Sequence, residues 1–158
     1  MRQVEMADLE QLIAIENDGF TPEEAASRQA FIERIAVITD SFIVAEEAGV
    51  ILGYVNGPVI NQAYITDDLF ETISANPPTA GYQSILGLAV AKSARGKGIA
   101  RLLMTRLFEL AQEHERIGMT LTCKEELISF YEGLGYTNHG LSDSTLGGVR
   151  WYNMMKRV

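Results

Sequence analysis

The fold is decided by the stretch Ser84-Ile-Leu-Gly-Leu-Ala-Val-Ala-Lys-Ser-Ala-Arg-Gly-Lys-Gly-Ile-Ala100. Its first half, up to Ala91, is an apolar run without clean alternation, which is typical of a central strand covered on both faces. From Lys92 to Gly98 the chain is small, basic and rich in glycine, and apolar residues then recur with helical period to about Glu115. The stretch therefore predicts a buried strand, a glycine loop and a long helix.

Helix and strand signals on either side of this unit predict a mixed fold in one domain. Asp8 caps an amphipathic helix, and Thr21 followed by Pro22 is a start signal for a second helix that runs to about Ile38. Later signals are a hairpin at 41–57, a strand at 119–123, a helix at 125–134 and two last strands near 141 and 149–155. The predicted order is β-α-α-β-β-β-α-β-α-β-β, an α/β (α+β) domain spanning residues 1–158.

Segment 58–81 breaks this regularity. It is polar, contains Pro77-Pro78 and offers one helical turn at 67–71. Compact domains seldom carry about twenty irregular residues unless the segment has a role. Two interpretations stay open with equal weight, a cover over a binding site and a tolerated surface insertion.

Composition and charge exclude several classes of function. The chain has 158 residues with 47% hydrophobic content, which suffices for one buried core. Its formal net charge is -8, and such a field repels phosphate backbones and anionic lipid, so we expect neither nucleic acid nor a membrane as a partner. The N-terminus has no signal-peptide pattern, so we expect a cytoplasmic protein. Cys123 is the single cysteine; it excludes an internal disulfide and a cysteine-rich zinc site, and we expect no metal.

The glycine loop has the features of an anion site. Arg95-Gly96-Lys97-Gly98 leads into the first turn of a helix, where unpaired N–H groups and the helix dipole favour negative charge. Glycine lets the backbone approach a ligand closely, and the two basic side chains add positive charge. The spacing matches neither a P-loop nor the Rossmann Gly-x-Gly-x-x-Gly pattern. A phosphate-bearing ligand and a simple glycine turn are both compatible with the loop on its own.

Two signatures at the expected separation resemble the GNAT superfamily of N-acetyltransferases. Arg95-x-x-Gly98-x-Ala100 is similar to its acyl-coenzyme A (CoA) signature, and the segment 127–136, with Tyr131 four residues before a Gly-Tyr pair, is similar to its second signature. The segment 123–132 further resembles the arylalkylamine N-acetyltransferase branch. The resemblance covers nearly the whole chain and implies a GNAT-like, mainly antiparallel central sheet of about six or seven strands, about four flanking helices and a splayed central strand.

The resemblance implies a role for each matched residue. Acetyl-CoA would be the cosubstrate, and the residues implied in binding it are Leu88, Ala89, Val90, Arg95, Gly96, Lys97, Gly98, Ile99 and Ala100. The backbone N–H of Leu88 would also face the thioester oxygen, where a preplaced donor lowers the barrier by about 3–4 kcal/mol. Tyr131 would protonate the departing thiolate, a transfer that runs uphill by about 2 kcal/mol from reference pKa values. On their residue types alone, Leu88, Val90 and Tyr131 favour core packing.

The group that takes the proton of the attacking amine is not apparent. The arylalkylamine branch places a His-x-His pair on the central strand, where this chain has Ser84 and Leu86. An amine of pKa about 10 is only about one part in a thousand neutral at pH 7, which costs about 4 kcal/mol. We consider two candidates for the catalytic proton route, water held by Ser84 and the carboxylate of Glu16 at the end of the first helix. The other candidate groups are expected at the surface or in the core: His114, His139 and Cys123.

The sequence therefore predicts an N-acetyltransferase that moves the acetyl group of acetyl-CoA to a primary amine of a small molecule, by direct attack in a ternary complex. A CoA-binding sensor with little turnover and a plain phosphate or nucleotide binder are the alternatives. Acidic residues near the expected acceptor side predict a cationic amine, unless they form an ordinary solvated surface: Glu16, Asp18, Glu23, Glu24, Asp67, Asp68 and Glu71. A homodimer is compatible with this interpretation.

Overall fold

The computed structural model describes all 158 residues, with nine β-strands and four α-helices. In chain order the elements are β1 (Arg2–Gln3), α1 (Leu9–Gly19), α2 (Arg28–Val37), β2 (Phe42–Glu47), β3 (Val50–Asn56), β4 (Val59–Ile60), β5 (Tyr82–Ile85), β6 (Gly87–Val90), α3 (Ile99–Glu113), β7 (Gly118–Cys123), α4 (Ile128–Gly133), β8 (Thr137–Leu141) and β9 (Tyr152–Arg157). The helices match the predicted number.

The strands form two sheets. One has the order β1-β2-β3-β6 and the other the order β4-β5-β7-β9-β8, and β5 with β7 is the parallel pair in an otherwise antiparallel arrangement. The predicted mixed, mainly antiparallel fold is confirmed. More strands are present than the expected six or seven, in part because the predicted strand from Ser84 to Ala91 is interrupted at Leu86 between β5 and β6, and because β4 lies in segment 58–81, which the sequence predicts to be irregular.

The interruption at Leu86 separates the two sheets. β5 pairs with β7 up to Ile85, which lies opposite Leu121. The N–H of Leu86 then donates to the carbonyl of Asn56 (2.8 Å), and β6 pairs with β3 alone. A gap therefore opens between β6 and the end of β7. This arrangement corresponds to the splayed central strand that the resemblance implies.

Two apolar clusters lie on opposite faces of the sheets and fix the helices. The cluster under α3 and α4 includes Leu103, Leu107, Leu121 and Tyr131. The cluster under α1 and α2 includes Leu12, Phe31, Phe42 and Tyr54. These contacts hold the end of α1 on one side of the gap and α4 on the other.

The second helix begins later than the sequence predicts. Ser27 caps α2, and its hydroxyl accepts a hydrogen bond from the N–H of Ala30 (3.1 Å). The Thr21-Pro22 signal produces only a single turn, closed by Ala25 N–H donating to the Thr21 carbonyl (2.9 Å). The chain leaves the helical path directly afterwards because the N–H of the next residue donates to the Glu16 side chain instead of to a backbone carbonyl.

Segment 58–81 packs along the sheet and onto neighbouring loops. Thr120 of β7 donates to the carbonyl of Ala63 (2.6 Å), and the N–H of Ile73 donates to Glu33 of α2 (2.9 Å). The predicted helical turn is present as a 3-10 turn at Asp67–Phe70. The segment is therefore anchored at several points.

No helix combines the length and the apolar character that crossing a membrane requires.

Candidate functional site

A cavity of about 320 Å³ occupies the gap between β6 and β7. Its walls include the whole of β6, the last residues of β7, the end of α1 and Tyr131 of α4. Thirteen of its 19 lining residues are hydrophobic, which is typical of a ligand site with a few polar groups that fix orientation. The splay thus creates a pocket that unites the elements singled out by the sequence.

The backbone of β6 offers free polar groups to this cavity. The N–H of Ala91 donates to Leu52 (2.8 Å), which sets the alternation of the antiparallel ladder between β6 and β3. By that alternation Leu88 and Val90 turn their N–H and C=O groups away from β3 and toward the gap. The carbonyl of Val90 indeed accepts from the side chain of Arg95 (3.2 Å) instead of from a strand.

The glycine loop that follows is open to an anion. Gly96 and Gly98 both have φ of 79°, and a Cβ added at either position would meet no atom within 4 Å. None of the amide N–H groups from Gly96 to Arg101 donates to a protein acceptor. Six unpaired donors at the start of a 15-residue helix suit a pyrophosphate, because they combine hydrogen bonds with the positive end of the dipole. The residues present therefore fit the phosphates of acetyl-CoA.

Arg95 connects this loop to the opposite wall. Besides its bond to Val90, its guanidinium Nη2 lies 3.7 Å from the Asp18 carboxylate near the end of α1. Arg95 lines the cavity and is partly exposed. Arg95 thus places a positive charge between the glycine loop and the cavity.

Tyr131 is the phenol of the cavity. It is 7% exposed, and its ring is held by T-shaped contacts with Phe130 and Tyr136, at centroid distances of 5.0 and 5.9 Å. Its hydroxyl has no hydrogen-bond partner in the protein. Burial raises the pKa of Tyr131, and the nearby Cys123 adds to the shift. The phenol therefore stays protonated at neutral pH and has a proton to donate.

Four large apolar side chains line the cavity together with two carboxylates. The apolar group consists of Phe20, Phe70, Leu146 and Trp151, and the carboxylates are Glu16 and Glu24. Phe70 belongs to segment 58–81, so that segment does contribute to the pocket wall. Asp67 in the same turn binds the loop between β8 and β9, accepting from the Ser144 hydroxyl (2.5 Å) and the Thr145 N–H (3.0 Å).

The two carboxylates differ in their partners. Lys124 donates to Glu24 Oε1 (2.8 Å). Burial raises the pKa of Glu24, but the hydrogen bonds from Lys124 and Thr21 outweigh it, and the pKa lies below its usual value. Glu16 has no lysine or arginine within salt-bridge distance; its oxygens accept from the Ala26 N–H (2.7 Å) and from the Tyr54 hydroxyl. Glu16 is therefore the carboxyl group of the cavity that has no lysine or arginine in contact.

The predicted site residues do not all meet here. Leu88, Ala89, Val90, Arg95 and Tyr131 line the cavity, and the residues 96–100 continue from Arg95 outside it. Ser84 does not line it, since its hydroxyl is fully buried and donates to the Pro58 carbonyl (2.6 Å) on the face covered by segment 58–81. Water held by Ser84 would therefore not reach the gap.

The remaining candidates behave as the residue types suggest. His114 bonds its own helix at the Leu110 carbonyl (2.9 Å), and His139 contacts Tyr64 (2.9 Å). Burial raises the pKa of the Cys123 thiol to about 11, which leaves it protonated and a poor nucleophile.

Sequence reasoning missed several groups of the site. Phe70, Leu146 and Trp151 come from irregular segments without periodicity, and Lys124 reaches Glu24 across 100 residues of chain. No local pattern in the sequence marks such contacts. The sequence predicts Glu24 to be one of the free acids near the acceptor, whereas the structure pairs it with Lys124.

Comparisons with known proteins agree with this architecture. The family model described as "Acetyltransferase (GNAT) family" matches residues 8–136. Glucosamine 6-phosphate N-acetyltransferase from Candida albicans is 39% identical over 54 residues, which are 34% of this chain and 36% of that protein. The match thus spans about a third of this relative's length.

Solved structures resemble the chain over almost its whole length. Ard1 from Thermoplasma volcanium has a TM-score of 0.77 at 19% identity, covering 99% of this chain and 95% of Ard1. The GNAT-like decarboxylase GphF, solved with isobutyryl-CoA, has a TM-score of 0.83 at 16% identity, covering 99% and 97%. At these identities the likeness concerns the fold. Because the family model matches most of the chain, this protein belongs to the acetyltransferase (GNAT) family.

Proposed function

We propose that this GNAT protein transfers the acetyl group of acetyl-CoA to the primary amine of a small cationic molecule of the arylalkylamine type. The observation that carries the proposal is the convergence of three features on one cavity. These are the free backbone of β6, the open anion loop next to it and the protonated phenol of Tyr131. A phosphate or nucleotide binder would need only the second of them.

The cosubstrate site follows from these features. The pyrophosphate would take hydrogen bonds from the N–H groups of 96–101, and the pantetheine arm would pair with Leu88 and Val90 as an added strand edge. The thioester would then lie in the gap, with the N–H of Leu88 near its oxygen. A bound acetyl-CoA supplies the activated acyl group; the chain supplies position, a backbone donor and a proton.

Tyr131 suits the role of the general acid. Its hydroxyl has no competing protein partner and lines the cavity. Burial raises its pKa, but the same dry surroundings raise the pKa of a thiolate, so the proton transfer is less unfavourable than Tyr131 alone suggests. A phenol fixed by two ring contacts also needs no reorganisation before it donates.

The acceptor end favours a small amine with an apolar body. Phe20, Phe70, Leu146 and Trp151 leave limited volume, and a Cβ at Gly147 would lie 2.7 Å from Glu24. The loop between β8 and β9 therefore packs directly against the chain that follows α1. We expect a compact molecule with an apolar body to fill this end of the cavity better than an extended polypeptide.

Charge favours a cationic acceptor without phosphate. Glu16 is buried and has no ion-pair partner, whereas Lys124 is already paired with Glu24. A negative group on the substrate would meet no free cation at this end. The Candida albicans relative is named for glucosamine 6-phosphate. We expect this chain, in contrast, to use an acceptor without a phosphate group.

The test is CoA release from acetyl-CoA with a panel of amines, checked by the mass of the product. The panel contains an arylalkylamine, a linear diamine, glucosamine 6-phosphate and an amino acid. We expect the arylalkylamine to have the highest kcat/KM. Binding of acetyl-CoA without turnover of any amine would instead favour the CoA-binding sensor, and stabilisation by ATP as strong as by acetyl-CoA would favour a nucleotide binder.

A further inference from the structure

A buried polar cluster lies behind the acceptor end of the cavity. Its members are Glu16 of α1, Arg34 of α2 and Tyr54 of β3, with exposed fractions of 5%, 3% and 0%. Buried charges contribute little to stability, since well-packed apolar side chains of similar volume serve at least as well. A cluster of this kind beside a reactive cavity therefore calls for a functional explanation.

The contacts in the cluster leave the carboxylate supported but not neutralised. Tyr54 donates its hydroxyl hydrogen to Glu16 Oε1, and the Ala26 N–H donates to Oε2 (2.7 Å). Arg34 donates to the Asn56 side chain (3.3 Å) and not to Glu16, and its Nη2 has no acceptor. Arg34 thus interacts with Glu16 only by long-range electrostatic attraction, whereas Lys124 makes a direct hydrogen bond to Glu24.

We infer that Glu16 is the proton acceptor for the attacking amine and that Tyr54 and Arg34 are its positioning residues. This inference rests on the proposed function. The substrate ammonium would lose one proton to a Glu16 oxygen, giving a neutral amine and a neutral carboxyl, and Glu16 would return that proton to solvent. The second proton that the nitrogen loses on becoming an amide would pass to Tyr131, replacing the proton that the phenol gives to the departing CoA sulfur.

Burial favours this transfer from both sides. It raises the pKa of Glu16, against the opposing effects of the hydrogen bonds from Ala26 and Tyr54 and the charge of Arg34. The same surroundings lower the pKa of an ammonium, so two buried charges are exchanged for a neutral pair. The titratable groups that face Glu16 are Tyr54 from β3 and Arg34 from α2, and Glu33 acts in turn on Arg34.

The first test compares two acceptors of similar size in wild type and Glu16→Gln. Benzylamine is a cation at neutral pH and must lose a proton before attack, whereas aniline is already neutral. We expect the substitution to lower kcat/KM by about 10²-fold for benzylamine and by less than about threefold for aniline. The deficit for benzylamine should shrink as the pH approaches the pKa of the free amine. Glu10→Gln on the exposed side of the same helix is the matched control and should leave both rates unchanged.

The second test concerns the positioning residues. Tyr54→Phe removes one hydrogen bond that favours the ionised form of Glu16, so the acidic limb of the pH profile of kcat/KM should move to higher pH. Arg34→Met should move the limb in the same direction, and Arg34→Lys should restore it. A fall in Tm without movement of the limb would make both residues purely structural.

The outcomes separate the two proposals. Equal losses for benzylamine and aniline in Glu16→Gln, with an unchanged pH profile, would overturn the role of Glu16 and leave the acetyltransferase assignment intact. Failure of wild type to acetylate any amine, despite binding acetyl-CoA, would overturn the proposed function and the inference with it.

Discussion

Ile85 and Leu121 are the last register partners of the parallel strands β5 and β7. Beyond them the two sheets separate, and the cavity begins at the same residues. On the other side of β5 the backbones approach closely, and a Cβ at Gly57 would lie 2.0 Å from the Ser84 carbonyl oxygen. The strand that ends at the cavity therefore packs against a position that only glycine can occupy.

Gly57→Ala should destabilise the protein strongly. The added methyl group would meet backbone atoms, which cannot move as a flexible side chain can, so we expect a loss at or above the upper end of the ~1–3 kcal/mol typical of overpacking. Denaturant unfolding measures it. Gly133→Ala is the control, since a Cβ there meets nothing within 4 Å; it should be neutral or stabilising by up to ~1 kcal/mol. A mild effect of Gly57→Ala would contradict the close approach.

Gly98→Asp should abolish binding of acetyl-CoA while leaving the fold intact. The new carboxylate would lie beside the unpaired N–H groups that suit a pyrophosphate. Calorimetry measures the affinity. Gly140→Asp is a matched control, because Gly140 also has a positive φ, 94° against 79°, and equally open surroundings, but lies on β8 outside the cavity. Normal affinity in a folded Gly98→Asp protein would move the phosphate site elsewhere.

The glycine loop and helix from 92 to 115 are predicted most accurately from the sequence, because each of their signals lies within neighbouring residues, whereas the strand before them is interrupted at Leu86. The splay and the cavity walls at β6, Arg95 and Tyr131 followed from the family resemblance, which carries information on packing that periodicity lacks. Ser84 shows where inference from the family resemblance fails. Its hydroxyl bonds Pro58, and the covering segment that supplies this partner has no counterpart in the signatures.

What could not be predicted rests on contacts between distant residues. Glu16 and Tyr54 are separated by 38 positions, and Glu24 and Lys124 by 100. In the sequence, nothing distinguishes either carboxylate from the other acidic residues of this chain. Their difference arises only in three dimensions, where one gains a cation and the other a phenol.

Tyr131→Phe should lower turnover by about 10²-fold or more without loss of acetyl-CoA affinity, the effect of a missing general acid. The ring contacts persist, so the fold should be unaffected. Tyr136→Phe is the control, because Tyr136 is also buried, has a raised pKa and touches Tyr131, but does not line the cavity. Near-normal turnover in Tyr131→Phe would remove Tyr131 from the mechanism.

Substrate charge should affect kcat/KM in a way that depends on salt. The net charge of -8 attracts a cationic amine at low ionic strength, and the Debye length falls from about 10 Å at 0.1 M to about 3 Å at 1 M salt. We therefore expect kcat/KM for a cationic amine to decline with salt, and kcat/KM for an amine of matched size with an extra carboxylate to start low and rise. Equal use of both amines at every salt concentration would contradict a cationic substrate class.

Glu16→Gln should change how the free energy of unfolding depends on pH. Because burial raises the pKa of Glu16 in the folded state, the native protein binds more protons here than the unfolded chain, and this contribution to stability is complete below the unfolded pKa of about 4.3 and is lost as pH rises through the folded value. Glutamine carries no charge, so the variant avoids that loss. Relative to wild type, it should therefore gain stability as pH rises from about 4 through the folded pKa and then stay level, which chemical denaturation between pH 4 and pH 8 measures. A constant difference between the two proteins would mean that Glu16 titrates in the fold as it does in the unfolded chain, and the carboxylate would then lack the raised basicity on which its role as proton acceptor depends.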